Sequence, residues 1–380
     1  MSERFSGYLD YNATAPVRPE VSAAISFALD YPGNPSSVHM SGREARSRVE
    51  SAREEVARLV GVSPGGVVFT SGGTEANNLV LQNSARQNRH VFASAIEHDS
   101  ILNVLPALQN GATLIPVGVE GLVDVDALAE QLGKNSGPAL VSIMLANNET
   151  GVIQPVRHVA EIAKDHGAVV HCDAVQGLGK VAVSIADLGV DWLTISAHKF
   201  GGPQGIGALI VGDESETPTA MLFGGGQERG RRSGTENVPG IVGFDEAAKC
   251  VASIRDESQR VRALRDRLEN EIQAAADGVV IVGETAPRLP NTSCIVMPGV
   301  PAETQVMSLD LEGVKVSAGA ACSSGKVSAS HVLKAMGLPD EQTGSAIRVS
   351  LGWASGAEDV DQFVAAWTKL RQRLDDRPAA

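Results

Sequence analysis

A single lysine, Lys199, stands where a short apolar stretch gives way to a glycine-rich turn. The apolar stretch, residues 192–195, is typical of a buried strand, and Ser196 and His198 lie between it and the lysine. Lysine is among the residue types least often fully buried. One interpretation is Schiff-base chemistry, because burial lowers the pKa of the amine and frees it to react. The other is a strand-end lysine whose stem packs while its charge reaches water.

Polar residues follow several other predicted strands at the same relative position. Strands are predicted over residues 67–70, 90–96, 112–117, 139–145, 168–171 and 192–195. Their alternation with helical patterns indicates a largely parallel sheet covered by helices on both faces. Ligands of such sheets bind beyond the carboxyl ends of the strands, so we expect one crevice there. The polar residues that we place around it are Thr74, Glu97, His98, Asn147, Asn148, Glu149, Asp173, Gln176, Ser196, His198 and Lys199.

Asp173 closes one of these strands, and a buried ionised aspartate needs a cationic partner. Because Lys199 follows one crossover later, the main interpretation is a cofactor held at both ends. The aspartate would bind a pyridinium nitrogen and the lysine an aldehyde. A plain ion pair between Asp173 and Lys199 is the alternative.

Gly73 and Thr74 lie in a glycine turn between a strand and a helix. Such a turn can bind an anion, because unpaired backbone N–H groups and the helix dipole point at one spot. The stretch lacks the motifs of nucleoside-triphosphate and dinucleotide sites. A tight turn with a threonine cap is an equally good interpretation of this motif alone.

Cys322 lies in a run of small residues, 316–325, which offers little that could pack in a core. We interpret the run as a mobile loop that delivers a reactive thiol. An ordinary loop cysteine is the alternative. Arg348 is a lone arginine on an apolar strand and is suited to bidentate capture of a carboxylate.

The composition excludes several classes of function. The 380 residues are 43% hydrophobic and carry a net charge of −13, which disfavours a nucleic-acid partner. There is no apolar run long enough for a membrane span and no signal pattern, so we expect a cytoplasmic protein without a membrane partner. The cysteine spacing matches neither a CxxC metal pair nor a disulfide framework, and we expect reduced thiols. The cysteines are Cys172, Cys250, Cys294 and Cys322.

The length exceeds that at which one hydrophobic core usually divides. We assign residues 16–255 to a large domain, and residues 1–15 with 256–380 to a smaller α+β domain that carries the Cys322 loop. A long helical region over 237–276 is expected to bridge them. In the smaller unit the expected strands are 279–282, 293–296 and 346–350, and the expected helices are 303–311, 328–336 and 359–374.

Taken together, these stretches resemble the cysteine desulfurases of the class V aminotransferase group. The motifs TSGGTEANNLV, IEHDS, NNETGV, CDAVQ, SAHKFGGPQGIGAL, GGGQERGRRSGTEN and GAACSS occur in the order and spacing of that family. The likeness covers nearly the whole chain. The longer loop around GAACSSG is similar to the branch related to the nitrogen-fixation and iron–sulfur assembly enzymes. Departures are Gln204, where the family commonly has lysine, and Gly73, where alanine is frequent.

The resemblance implies an α/β fold of pyridoxal-phosphate fold type I (aspartate-aminotransferase-like), with a mostly parallel seven-stranded sheet in the large domain. It implies pyridoxal 5'-phosphate as cofactor, with Lys199 on the aldehyde, where it also shuttles protons. Asp173 would bind the pyridine nitrogen, Gln176 the ring oxygen, and His98 would stack on the ring and assist proton transfer. The phosphate would be bound by Gly73, Thr74, Ser196, His198 and, from the neighbouring subunit of a homodimer, Thr235.

The implied substrate is L-cysteine, whose carboxylate Asn12, Asn148 and Arg348 would hold. The Cys322 thiolate would take the substrate sulfur as a persulfide, release alanine and pass the sulfur to an acceptor protein such as an iron–sulfur scaffold. No metal would be bound by the protein alone, with Cys322 a candidate transient iron–sulfur ligand. Alternatives are a selenocysteine lyase, another class V enzyme, and a non-catalytic scaffold of the same fold. The acceptor and the pathway stay open.

Overall fold

The computed structural model describes residues 5–213, 217–252, 254–319 and 329–375. The helices are α1 Pro19–Leu29, α2 Met40–Val60, α3 Gly73–Arg86, α4 Asp99–Leu102, α5 Val125–Lys134, α6 Val156–Asp165, α7 Ile185–Leu188, α8 Val238–Val251, α9 Arg255–Ala275, α10 Ala302–Leu311, α11 His331–Ala335, α12 Asp340–Thr343 and α13 Ala357–Asp375. The strands are β1 Val67–Thr70, β2 His90–Ser94, β3 Ala112–Ile115, β4 Ala139–Met144, β5 Val169–Asp173, β6 Trp192–Ser196, β7 Gly207–Val211, β8 Val280–Ile281, β9 Thr292–Val296, β10 Ser317–Ala318 and β11 Ala346–Ser350.

Seven strands within the described residues form the larger sheet, in the order β1-β7-β6-β5-β4-β2-β3. Strands β2 to β6 pair in parallel, whereas β7 runs antiparallel to both β1 and β6. The expectation of a mostly parallel seven-stranded sheet is confirmed. The residue pattern alone did not assign β7, because it follows a glycine turn. A Cβ on Gly207 would lie 2.7 Å from the Ile195 carbonyl oxygen and 2.8 Å from Gly72 Cα, so only glycine allows this close packing.

Helices cover both faces of this sheet, as expected from the alternation of strands and helices. Along β4, Val141 and Ile143 belong to one core, and Leu140 belongs to the core on the opposite face. This alternation follows from the two-residue period of a strand. The first core includes Val56 of α2, and the second includes Leu79 of α3.

A smaller antiparallel sheet has the order β10-β11-β9-β8 and its own core. Residues such as Leu268, Ile295, Val349 and Trp367 are buried there. The N-terminal segment joins this sheet, since Asp10 forms a parallel bridge with Ser350 and the Ser350 amide donates to the Leu9 carbonyl at 2.8 Å. Residues 9 and 10 therefore extend the small sheet, while the Ala15 amide donates to the His198 carbonyl after β6 at 2.8 Å.

The helical region expected over residues 237–276 is divided into two helices. The chain forms α8 and α9 instead, and α8 ends at Val251. Phe244 of α8 is buried in the core of the large sheet, whereas Leu268 and Ile272 of α9 are buried in the core of the small sheet. The two halves pack in different cores, and the helix axis is interrupted between them.

An ion pair fixes the loop after β7 against the large sheet. Arg53 donates from both terminal nitrogens to the Glu228 carboxylate, at 2.8 Å each. Glu228 also accepts a hydrogen bond from the Phe69 amide at 2.9 Å. Both side chains are almost completely buried. If one partner is lost, water therefore cannot solvate the charge that remains.

We expect Glu228→Ala to lower the free energy of unfolding by about 3 kcal/mol, because it removes the buried carboxylate and leaves Arg53 only the longer ion pair, 3.3 Å, with the half-exposed Glu50. Glu130→Ala removes an exposed partner of Lys134 and is the control, for which little change is expected. Urea unfolding of both variants measures the difference. Equal effects of the two substitutions would contradict this role of Glu228.

Candidate functional site

A cavity of about 270 Å³ lies beyond the carboxyl ends of the central strands. It is lined by residues that follow different strands, as expected because ligands of α/β sheets bind beyond the carboxyl ends of the strands. Asp173 ends β5 and Ser196 ends β6. The predicted site residues that line it are Gly73, Thr74, His98, Asn148, Asp173, Gln176, Ser196, His198 and Lys199.

Lys199 follows β6 in a single tight turn and is half-buried. Its Nζ donates to the peptide carbonyls of Asn12 at 2.7 Å and Ala13 at 2.9 Å. The amine is therefore held by the N-terminal segment at the wall of the cavity. Carbonyl oxygens hold an amine in place without the full charge of a carboxylate, which would favour its protonated form.

Asp173 is buried and also lines the cavity. Its carboxylate accepts hydrogen bonds from Asn77 Nδ2 at 2.7 Å and from the Val175 amide at 3.0 Å. Across the described residues it makes no ion pair, so the plain Asp173–Lys199 pair that we kept as an alternative is not formed. A buried carboxylate held by neutral donors is suited to a cationic group of a ligand.

A chain of hydrogen bonds connects Asp173 with His98. Asn77 also donates to Ser100 Oγ at 2.9 Å, and Ser100 Oγ lies 2.8 Å from His98 Nδ1. The Ser100 amide donates to the same Nδ1 at 3.1 Å, which assigns the proton of the neutral ring to Nε2. The sequence analysis missed Asn77. The sequence feature that could have identified it is its position, as a second polar residue in the first turns of α3 on the side that faces the sheet.

Glu97 is a second buried carboxyl group next to the site, but its side chain does not line the cavity. Its Oε1 accepts from Ser94 Oγ at 2.7 Å and from the Met144 amide at 2.9 Å, while Oε2 has no partner within the described part of the chain. Burial, with a smaller contribution from Asp173, raises the pKa of Glu97 to about 8. Glu97 is therefore neutral at pH 7 and adds no second negative charge beside Asp173.

His198 lines the cavity with its ring close to Thr14. Nδ1 lies 3.2 Å from Thr14 Oγ1. Burial, followed by the positive charges of Lys199 and Lys180, lowers the pKa of His198 to about 4. The ring is neutral at pH 7, so it can contribute a hydrogen bond to a ligand but no charge.

The three residues predicted to bind a carboxylate meet at the edge of the cavity. Arg348 Nη1 donates to the Asn148 carbonyl at 3.1 Å, and Asn12 Nδ2 donates to the same carbonyl at 3.2 Å. Arg348 is almost fully buried, and its Nη2 binds Asp10 at 2.7 Å. Its Nε has no hydrogen-bond partner among the residues described. A buried guanidinium with an unused N–H fits a carboxylate ligand.

The sequence analysis also missed Asp10, which connects Arg348 with β10. Its other oxygen accepts a hydrogen bond from Ser317 Oγ at 2.8 Å. On the far side of residues 320–328, Ser330 Oγ donates to Glu149 at 2.6 Å, and His331 Nε2 lies 3.1 Å from the Glu97 carbonyl. The chain thus enters and leaves that segment beside the site. Cys322 itself lies outside the described residues.

Thr235 does not line this cavity. It lies with Arg232 and Glu236 on a separate cavity of about 100 Å³. Cys172 and Cys294 are buried free thiols, and Cys250 is a half-buried one. The described residues contain no cluster of His, Cys, Asp and Glu that could hold a metal ion. None of the described helices combines the length and apolar character needed to cross a membrane.

Comparisons with known proteins agree with this geometry. Residues 7–363 match the family model described as Aminotransferase class-V. The chain is 40% identical to the cysteine desulfurase IscS of Dictyoglomus turgidum, over 97% of this chain and 95% of the relative. It is 40% identical to a cysteine desulfurase of Sinorhizobium fredii, over 98% of each chain. The solved structure of a NifS-like protein from Rickettsia africae superposes with a TM-score of 0.91 at 38% identity, covering 97% of this chain and 99% of that chain.

We expect Glu97→Gln to change how stability depends on pH. Below pH 4.5 Glu97 is protonated in both the folded and the unfolded chain. Between pH 4.5 and about 8 the unfolded chain loses this proton and the folded chain keeps it, so folding becomes less favourable by up to roughly tenfold per pH unit. The Glu97→Gln variant has no carboxyl group at this position, so its stability does not fall with pH for this reason.

Unfolding midpoints of the wild type and Glu97→Gln, measured from pH 4.5 to 9, test this expectation. Glu341→Gln, an exposed substitution, is the control and should follow the wild type. The stability of Glu97→Gln relative to the wild type should rise towards pH 8 and then level off. A constant difference across this range would show that Glu97 titrates normally.

Proposed function

Because this chain belongs to the class V aminotransferase family, we propose that it is a cysteine desulfurase that uses pyridoxal 5'-phosphate. It takes sulfur from L-cysteine, releases L-alanine and forms a persulfide on Cys322. Its α/β architecture is the aspartate-aminotransferase-like fold type I that the sequence led us to expect. The observation that carries the proposal is the convergence of Lys199, Asp173, Gln176 and His98 on one cavity.

The residues present fit this cofactor. Asp173 offers a buried carboxylate to the pyridine nitrogen, and Lys199 offers an amine in the same cavity. The phosphate would be bound at the start of α3, where backbone N–H groups are unpaired, with Thr74, Ser196 and His198 around it. A Cβ on Gly73 would lie 2.7 Å from Val175 Cγ2, so this glycine lets α3 begin close to the cavity wall.

Gln176 would donate an N–H to the ring oxygen, and His98 would pack on the ring. Pyridoxal phosphate supplies an electron sink that loosens the Cα–H bond and weakens the C–S bond of the substrate. The chain supplies the proton carriers. Lys199 would hold the cofactor aldehyde, and its amine could also take up and return a proton beside the Asn12 and Ala13 carbonyls.

Substrate binding would use the unpaired Nε of Arg348, with Asn12 and Asn148 beside it. The Cys322 thiolate then attacks the substrate sulfur. The new S–S bond forms as the Cβ–S bond breaks, and protonation of the remaining carbon skeleton gives alanine. The contacts of Ser317 with Asp10 and of Ser330 with Glu149 support this role, since they hold both ends of the segment that carries Cys322 next to the site.

The proposal includes a cytoplasmic homodimer in which Thr235 of each subunit completes the phosphate site of the other. It keeps the division into residues 16–255 and residues 1–15 with 256–380, because the two sheets have separate cores. The persulfide would pass to an acceptor protein, such as an iron–sulfur scaffold. No metal is proposed for the protein alone.

We expect purified protein to release alanine from L-cysteine in the presence of a reductant, and Cys322→Ala to lose this activity by roughly two orders of magnitude or more. Cys250→Ala removes a half-buried thiol on α8 and should keep the activity, so it is the matched control. Both variants should still bind pyridoxal phosphate. Alanine release that is unchanged in Cys322→Ala would rule out the persulfide role, and no release by any of the three proteins would overturn the function.

We expect Arg348→Met to weaken binding of L-cysteine by about tenfold to a hundredfold, because hydrogen bonds to charged groups are lost. Cysteamine, which has the same thiol and amine without a carboxylate, should bind equally well to both proteins. Spectral titration of the bound cofactor measures both ligands. Arg348→Lys keeps the charge next to Asp10 and controls for misfolding, and it should restore binding only in part. Equal losses for the two ligands would exclude carboxylate recognition by Arg348.

A further inference from the structure

Lys180 is a buried lysine close to the residues that line the cavity. It lies four residues after Gln176 in the chain, and its side chain is almost fully buried. Nζ donates to Gln176 Oε1 at 2.5 Å and to Asn12 Oδ1 at 2.7 Å. Burial, followed by the charges of Lys199 and Arg348, lowers the pKa of Lys180 well below its usual value. Even as a neutral amine it keeps two N–H groups, and these two carbonyl oxygens accept both of them.

This donor decides which way two amide side chains point. Because Lys180 donates to the oxygen of each amide, the NH₂ group of each must point away from it. Gln176 Nε2 accordingly donates to the Asn12 peptide carbonyl at 3.0 Å, the same carbonyl that receives the Lys199 amine. The second N–H of Gln176 is left over, and Gln176 lines the cavity.

The two amides differ in how far they depend on Lys180. Asn12 Oδ1 has a second donor, Asn291 Nδ2 at 3.1 Å. For Gln176 Oε1, Lys180 is the single donor within the described residues. Without the lysine, the Asn12 amide would therefore keep its orientation, whereas the Gln176 amide would be free to rotate.

Stability alone does not explain a lysine at this position. Burial of an amine costs free energy, whereas methionine would fill a similar volume at a smaller desolvation cost. The contacts instead connect Lys180 with both groups that face the cofactor, Gln176 directly and Lys199 through Asn12.

We propose that Lys180 is a positioning residue, which sets the orientation of the Gln176 amide so that its N–H group, and not its oxygen, faces the ring oxygen of the cofactor. Lys180 does not itself touch the cofactor. This inference rests on the proposed function, since it assumes that pyridoxal phosphate occupies the cavity. It assigns a role to a residue that the sequence analysis did not select.

A double-mutant cycle on pyridoxal-phosphate binding tests the proposal. Apoprotein is prepared for the wild type, Lys180→Met, Gln176→Leu and the double variant, and the Kd for pyridoxal phosphate is measured by equilibrium dialysis. Each single substitution should raise the Kd by about tenfold, the loss expected for one hydrogen bond to a charged group. Adding Lys180→Met to Gln176→Leu should raise it little further, because Lys180 acts through Gln176.

A second readout follows from the same contact. An N–H that faces the ring oxygen stabilises its anionic form, so the pH midpoint of the absorbance of the bound cofactor should rise in both single variants. Lys249→Met, an exposed lysine of α8 paired with Asp245, should leave the Kd and the midpoint unchanged. Lys180→Gln, which keeps an N–H donor, should restore part of the wild-type affinity. Lys180→Ala, which also removes the donor, takes the place of Lys180→Met in the cycle if the methionine variant does not fold.

The outcomes separate this inference from the function on which it rests. Additive effects of Lys180→Met and Gln176→Leu would overturn the positioning role and leave the function intact. So would a Lys180→Met protein with a lower unfolding midpoint but an unchanged Kd, because it would show a purely structural role. A wild type that does not bind pyridoxal phosphate would overturn the proposed function, and the inference with it.

Discussion

The constraint on which the site depends is the burial of the Asp173 carboxylate among neutral donors. In the described part of the chain it is held by the amide of Asn77 and a backbone N–H, with no cation beside it. Such a group is costly to bury, and the surroundings limit that cost. Glu97 keeps its proton, and the neighbouring His171 is neutral because burial lowers its pKa to about 4. Asp173 is thereby left as the carboxylate with which a cationic ring can pair.

The two lysines near the cavity have the complementary arrangement. Lys199 and Lys180 both donate to carbonyl oxygens, and the acceptors of both include Asn12. The N-terminal segment that contains Asn12 lies between the two sheets, bridged to β11 through Asp10 and Ser350. Movement of the small sheet relative to the large one would therefore shift the acceptors of both amines. The polar chemistry of the cavity and the packing of the two sheets depend on the same few residues.

The sequence predicted most of the fold, because strand length, apolar runs and glycine turns are local signals. The errors occurred where tertiary packing decides. The helix predicted over 237–276 is divided because its halves pack in different cores, and β7 was not assigned because it follows a glycine turn. For the site, the position of polar residues after the strands selected most of the polar residues that line the cavity. Cys322 stays a prediction from its run of small residues and from the family resemblance, and Thr235 stays a prediction from the resemblance alone.

The residues that were missed have one property in common: their importance lies in protonation or orientation, which a sequence pattern does not contain. The same holds for Glu97, which the sequence placed around the crevice: only its burial beside Asp173 shows that it is neutral. Lys180 resembles any lysine after a glycine turn until its amine is found between two amide oxygens that are four and 168 residues away in the chain. Local rules can identify the groups that touch a ligand. The groups that decide how those residues present their donors are brought together only by the folded chain, and in this protein they are buried just behind the cavity.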